Sequence, residues 1–365
     1  MNTNIQNIQG WLSAQNADAA LLTSTENIFY VTGFRSNPHE RWLAVYIPIQ
    51  GEAVLICPGM EKEDAVHSGW NGPIIGYTDI ELPMELLHSY IEEHKYPNRM
   101  LAIETAHLTV DRLHILQHTF GKIETKSIEQ KMHDLRIIKS KEELTHLKAA
   151  AKLADFAIEV GCAELAEGKT ELDILAAIEF ELKRKGITEM SFSTMVLTGK
   201  NAASPHGTPG LTKIQKGDLV LFDLGVVCHG YCSDITRTVA FGEISAEQQK
   251  IYETVLEAEQ AALQLVKPGA IAGTLDQTAR KIIKNAGYGE FFPHRLGHGL
   301  GLNVHEYPSI TSTSDLVLQE GMTFTIEPGI YVPNVAGVRI EDDVLVTANG
   351  FETLTTFPKT LQIIK

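Results

Sequence analysis

Four carboxylates and one histidine carry most of the chemistry legible in this 365-residue chain. Asp223 lies within Val-Leu-Phe-Asp-Leu-Gly, and Asp234 follows eleven residues later in Tyr-Cys-Ser-Asp-Ile-Thr-Arg-Thr. Glu327 lies within Phe-Thr-Ile-Glu-Pro-Gly, and Glu341 follows fourteen residues later in Val-Arg-Ile-Glu-Asp-Asp. A single acid in such a setting is ordinarily a salt-bridge partner or a hydrogen-bonded turn residue. Two pairs, each in strand-like apolar sequence with a turn folding its members together, are different. Four carboxylates converging in a strand-rich core repel one another and lose their hydration unless they are neutralised. Two divalent cations cancel four negative charges. A fifth donor is His298, in Arg-Leu-Gly-His-Gly-Leu-Gly, where the flanking glycines leave room for the imidazole to reach inward. Four oxygens and one nitrogen form a hard, mixed donor set, suited to manganese or cobalt, with zinc or iron also open. Two ions about 3.5–4 Å apart can share a bridging hydroxide and polarise a carbonyl, which supplies nucleophile and Lewis acid without serine or cysteine.

The elements that position these residues follow from periodicity and capping. Ser140 with Glu143 has the form of a capping box opening a helix through Leu144, Leu147, Ala151 and Ala154. Thr170 with Asp173 opens a second, which stops at Gly186. A hairpin then runs Asp218–Cys228 and Tyr231–Phe241, turning at His229-Gly230. The order recurs: Ser245 with Gln248 starts a helix ending at Lys267-Pro268-Gly269, and Thr274 with Gln277 starts another ending at Gly287. A second hairpin, Met322–Tyr331 with Gly337–Thr347, closes the repeat. Helix-helix-hairpin twice over predicts one curved antiparallel sheet of pseudo-twofold character, with helices on its outer face.

Ahead of this lies different sequence. Leu21–Leu22, Trp42–Ile47 and Ala53–Cys57 read as strands, and Met84–Glu93 and Thr109–Thr119 as helices. The chain is thus expected to hold an α/β domain over 1–131 and an α+β domain over 132–365, with the charged stretch Lys131–Lys141 as a hinge. The formal net charge is −15, from 31 basic and 46 acidic side chains, which disfavours phosphate backbones and anionic lipid as partners. The start of the chain has no basic n-region or apolar h-region, and no stretch approaches a membrane span, so a cytoplasmic location is expected. The four cysteines form no disulfide framework, and Cys228 and Cys232 read as packing residues.

The Asp, Asp, His, Glu, Glu series, in that order, resembles the pita-bread metallopeptidases of family M24. The segments around Pro205-His206-Gly207, Ser233–Thr238, His298, Val304-His305-Glu306 and Arg339–Asp342 resemble its Xaa-Pro branch, which includes prolidase and aminopeptidase P. The first 131 residues look like the N-terminal domain that precedes the catalytic domain in creatinase, prolidase and aminopeptidase P. Methionine aminopeptidases lack that domain. The resemblance implies that Asp223 chelates one ion, that Asp234 and Glu341 bridge both, and that His298 and Glu327 complete the other ion's shell. It makes Glu327 the acid/base partner of the bridging hydroxide. It gives His206 and His305 the substrate carbonyl and the developing oxyanion, and makes Arg339 the residue that steadies the ligand network. His294, four residues before His298, is a candidate pocket residue or a packing residue, with Tyr331 and His39 weaker candidates. His39 and Arg41 lie in a loop that in similar proteins reaches a neighbouring active site, which points to a homodimer.

The substrate implied is a small peptide with proline after the scissile bond. Dipeptidase is preferred over aminopeptidase P by analogy of length. A metal-free creatinase-type hydrolase is disfavoured because all five candidate ligands are kept. The same series argues against a non-catalytic peptide-binding module. Asn303 stands where an acid is common in similar proteins.

Overall fold

Alternation of buried side chains along three central strands explains the first of two compact units, residues 1–135 and 136–365. The computed structural model describes residues 3–365. In the first unit the strands Ala19–Leu22, Ala44–Pro48 and Val54–Pro58 are buried on both faces. Ala20, Leu22, Val45, Ile47, Leu55 and Cys57 pack toward the helices Thr3–Gln15 and Thr25–Thr32. Their neighbours Ala19, Leu21, Ala44, Tyr46, Val54 and Ile56 pack toward Pro83–His94 and Val110–Phe120. Parallel strands extend this sheet on both sides: Ile74–Tyr77 beside Val54–Pro58, and Met100–Ile103 then Glu124–Ser127 beyond Ala19–Leu22. The stretch expected as a hinge is ordered. The helix Glu129–Arg136 occupies its first half, and Ile138 and Lys139 then pair with Met322 and Gly321.

The second unit shows the expected repeat. Helices Lys141–Glu164, Glu171–Arg184 and Ala246–Leu263 begin at capping boxes built from Ser140/Glu143, Thr170/Asp173 and Ser245/Gln248. The fourth helix, Ala272–Asn285, differs: Ile271 is its N-cap, without a side-chain cap. Entry to this helix is fixed by a bridge from Ile271 to Val317 and by the Gly273 N–H on the Ser314 carbonyl. Thr274 Oγ1 therefore donates back to the Ile271 carbonyl, and Gln277 donates to that of Ser312.

Each hairpin is one long ladder, a break, and a short ladder at the tip. Asp218–Leu224 pairs antiparallel with Ile235–Phe241, while Val227–Cys228 and Tyr231–Cys232 form the tip. The tip turns at His229 and Gly230, both at positive φ (51° and 85°), the geometry that matches strand twist. Thr323–Ile326 likewise pairs with Asp342–Thr347, while Gly329–Val332 and Ala336–Arg339 form the second tip. The long ladders belong to a four-stranded and a five-stranded sheet. The strands meet where the Glu341 N–H donates to the Thr236 carbonyl at 3.1 Å and Thr238 Oγ1 to that of Arg339 at 3.0 Å. One face carries the core against the helices: Val220, Phe222, Leu224, Ile235 and Val239 in one half, Phe324, Ile326, Val344 and Val346 in the other. Asp223, Thr236, Thr325 and Asp343 alternate with these residues and so face the opposite way. Among the described residues no helix is long and apolar enough to cross a membrane.

The break in the first hairpin depends on Gly225, where an added Cβ would lie 1.8 Å from the Ser233 carbonyl oxygen. Gly225→Ala is expected to lower stability by about 1–3 kcal/mol, the usual scale for overpacking. Denaturant unfolding with an unchanged m-value checks this, and wild-type stability in the variant would contradict it.

Candidate metal centre

The two breaks hold three of the four acids. Asp234 sits in the first, between Cys232 and Ile235; Glu327 and Glu341 sit on the two sides of the second. Asp223 is in the ladder, paired with Thr236 one step from its end. His298 comes from the short strand Gly297–Gly299, which lies between Glu306–Ile310 and Thr323–Ile326 in the sheet. Gly297 lets that strand lie close, since a Cβ there would meet the Thr325 carbonyl oxygen at 1.8 Å.

These positions bring donors from Asp234, His298 and Glu341 within 4.8 Å of one another. Glu327 joins through His298, whose Nε2 is 3.3 Å from Glu327 Oε1 and 3.6 Å from Asp234 Oδ2. The Asp223 carboxylate is paired with the Arg339 guanidinium. Asp234, His298 and Glu341 are 2–4 % exposed, so little water screens them. Burial raises the Asp234 and Glu341 carboxyls well above the usual range, and the neighbouring acids, Asp223 and Glu327 among them, add to it. Burial also pushes Glu327 up to about 7. The imidazole of His298 moves the other way, down to about 3, chiefly because it is buried.

The donor set fits a cation. His298 Nδ1 is 3.2 Å from the Gly299 carbonyl, which selects the tautomer with its proton on Nδ1. The Nε2 lone pair then points at the carboxyl oxygens of Glu327 and Asp234. Asp234 Oδ1 and Glu341 Oε1 are buried without a hydrogen-bond partner. Lone pairs converging without donors are what a divalent ion satisfies.

Surrounding side chains fix the acids in place. Thr236 Oγ1 donates to Glu341 Oε2 at 2.6 Å, and Thr325 Oγ1 to Glu327 Oε1 at 3.3 Å. On the other face of the strand Asp342 is held by Arg237 and Lys359, each at 2.6 Å, and Lys359 also meets Glu259 at 2.8 Å. Arg237 donates to the Glu341 carbonyl as well, so this ion network anchors the backbone of a candidate ligand.

The other residues singled out from sequence lie around this centre. His305 stands edge-on to His298, ring centroids 4.2 Å apart, and is exposed to solvent. His206 is exposed and follows directly on Pro205, whose carbonyl accepts from Arg339 Nη1 at 3.5 Å. Arg339 donates to Asp223, to Thr236 Oγ1 at 3.0 Å and to Tyr331 Oη at 2.6 Å. His294 has both nitrogens engaged, Nδ1 with the Arg295 carbonyl at 2.8 Å and Nε2 with Tyr331 Oη at 2.9 Å. Tyr331 therefore links His294 to Arg339 and matters more than its sequence suggested. Thr236, Thr325 and the buried Asp343, which accepts from the Asp234 N–H at 3.1 Å, were not singled out from sequence. Period-two alternation from Asp234, Glu327 and Glu341 was the signal available for them. His39 and Arg41 belong to the first unit, where Arg41 pairs with Asp79.

The model of "Metallopeptidase family M24" matches residues 145–348, and that of "Creatinase/Prolidase N-terminal domain" matches residues 4–138. A Bacillus subtilis (strain 168) protein named "Putative dipeptidase YkvY" is 52% identical over 99% of both chains. The prolidase from Pyrococcus horikoshii OT3 superposes with a TM-score of 0.92 at 36% identity, covering 99% of this chain and 100% of the other. An Xaa-Pro dipeptidase from Bacillus anthracis gives 0.92 at 33% identity, covering 99% of each.

The raised carboxyls make the stability of the metal-free protein depend on pH. Acids with raised folded values stabilise the fold while protonated, and that contribution is lost as pH rises through those values, about 7 for Glu327. With chelator present, the unfolding midpoint should fall between about pH 5.5 and about pH 8.5, and divalent metal should reduce the fall. A chelated protein equally stable at both would contradict the arrangement.

Proposed function

This chain belongs to metallopeptidase family M24, and from that premise we propose that it is an Xaa-Pro dipeptidase working with two divalent cations, manganese foremost. The observation that carries the metal assignment is the meeting of ligand atoms from Asp234, His298 and Glu341 within 4.8 Å of one another, with one oxygen of each of the two carboxyls buried and unpartnered. The prolidase and Xaa-Pro dipeptidase that superpose over nearly the whole chain support the substrate class.

In this reading Asp234, His298 and Glu341 hold the ions together with Asp223 and Glu327. When bound, divalent cations supply a Lewis acid and make a water ionisable near neutral pH. Glu327, at the edge of the ligand cluster, accepts the proton of the attacking water and returns it to the departing prolyl nitrogen. His305 and His206, which need not ligate, donate to the substrate carbonyl oxygen as it becomes an oxyanion. Arg339 pairs with Asp223 and, through Tyr331, aligns His294 along the same wall.

The test is hydrolysis by metal-stripped protein, with and without manganese, cobalt or zinc, of Ala-Pro, Ala-Pro-Ala, Ala-Ala and Met-Ala-Ser. Metal-dependent cleavage of Ala-Pro alone is expected. Cleavage of Ala-Pro-Ala would make the enzyme an aminopeptidase P, and no turnover with metal bound would contradict the peptidase reading. Asp234→Ala or Glu341→Ala should lose metal together with nearly all activity. His305→Ala should keep its metal and lose about 10²–10³-fold in kcat, the usual cost of one oxyanion donor. Full turnover in that variant would remove His305 from the mechanism.

A further inference from the structure

Glu171 is a fully buried carboxylate whose contacts converge on the segment that carries His206. It is the first residue of the helix Glu171–Arg184, but that helix is already capped by Thr170 and Asp173. Its side chain turns toward the segment 198–210. One oxygen accepts from the Thr198 N–H and the other from the Gly210 N–H, both at 2.8 Å. The Asn201 amide donates to both oxygens at 3.0 Å and also reaches the Thr208 carbonyl at 3.1 Å. The carboxylate thus ties down both ends of the segment and a point between them.

Contacts from the opposite side complete the hold. The Pro205 carbonyl accepts from Arg339 Nη1 at 3.5 Å. Gly337 lets the backbone at Ala202 approach so closely that a Cβ would lie 1.6 Å from the Ala202 carbonyl oxygen. His206, between these anchors, is exposed and follows directly on Pro205, whose carbonyl Arg339 holds. An exposed side chain on a surface segment has many rotamers and backbone positions open to it, so its placement depends on how firmly the segment is fixed.

We propose that Glu171 is a positioning residue for His206: by clamping residues 198–210 it sets the distance between His206 and the substrate carbonyl. A buried carboxylate serves here because it accepts from several N–H groups at once and bonds them more strongly than a neutral acceptor. The inference rests on the role given to His206 under the proposed function, and it reaches beyond that role to a residue that contacts neither metal ligands nor substrate.

The test uses the full-length, metal-loaded protein with Ala-Pro as substrate. The variants are Glu171→Gln, Asn201→Ala, His206→Ala and the double variant Glu171→Gln/His206→Ala. Asn201→Ala cuts the same link from a half-buried position if Glu171→Gln folds poorly. Expected for Glu171→Gln is a fall in kcat of about 10–100-fold, the scale of a small misplacement, with bound metal unchanged. On the His206→Ala background the same substitution should lower kcat no further, because residues acting through one another are not additive. Independently of turnover, amide hydrogen exchange should quicken across residues 198–210 in Glu171→Gln and Asn201→Ala, and stay unchanged across 218–224. Equal losses of kcat on both backgrounds, or unchanged exchange in the segment, would overturn the proposal. A His206→Ala variant with wild-type kcat would instead overturn the role of His206, whatever the exchange data show of the clamp.

Discussion

The second unit is organised around electrostatic repulsion that its own side chains relieve only in part. Asp223, Asp234, Glu327 and Glu341 share one strand-lined interior with a neutral imidazole, and Arg339 stands against Asp223 alone by direct pairing. Ionised acids in such surroundings cost several kcal/mol each unless charge of the opposite sign is present. Protonation offers one remedy and cations the other. The first disables the ligands and the second puts them to use, so the centre is built to favour metal at neutral pH.

The fold meets this constraint by opening its ladders where the acids sit. Regular pairing through Gly225 and Ser233, or through Glu327 and Ile340, would commit backbone and side chains to neighbouring strands. The breaks instead turn Asp234, Glu327 and Glu341 inward, while Asp223 joins them from within the ladder. Hydroxyls of Thr236 and Thr325 orient two of them without adding charge. The opposite face of the strand is neutralised separately, Asp342 by Arg237 and Lys359. Alternation along Glu341-Asp342 thus separates an acid left for metal from an acid matched by bases.

Much of this was legible in the sequence. Acids embedded in apolar strands contradict the expected binary pattern, and such contradictions mark functional sites. Three capping boxes announced their helices because that signal is local. What remained hidden depended on tertiary contacts. The parallel strand Glu124–Ser127, largely exposed, has no apolar run to betray it. The fourth helix took its start from a strand bridge at Ile271 instead of the box at Thr274. Tyr331 was only a weak candidate in the sequence, and its weight shows where His294 and Arg339 converge on its hydroxyl. Glu171, at the head of a capped helix, could not be told from a charge placed there to favour the helix dipole.

The central claim, that these acids are arranged for divalent metal rather than for each other, is tested most directly by calorimetric titration of the chelated protein with manganese. The titration is run near pH 7 in buffers of differing ionisation enthalpy. The account predicts saturable binding of two ions per chain with release of protons, because carboxyls raised by burial must ionise to ligate. Weak, unsaturable binding without proton release would contradict it.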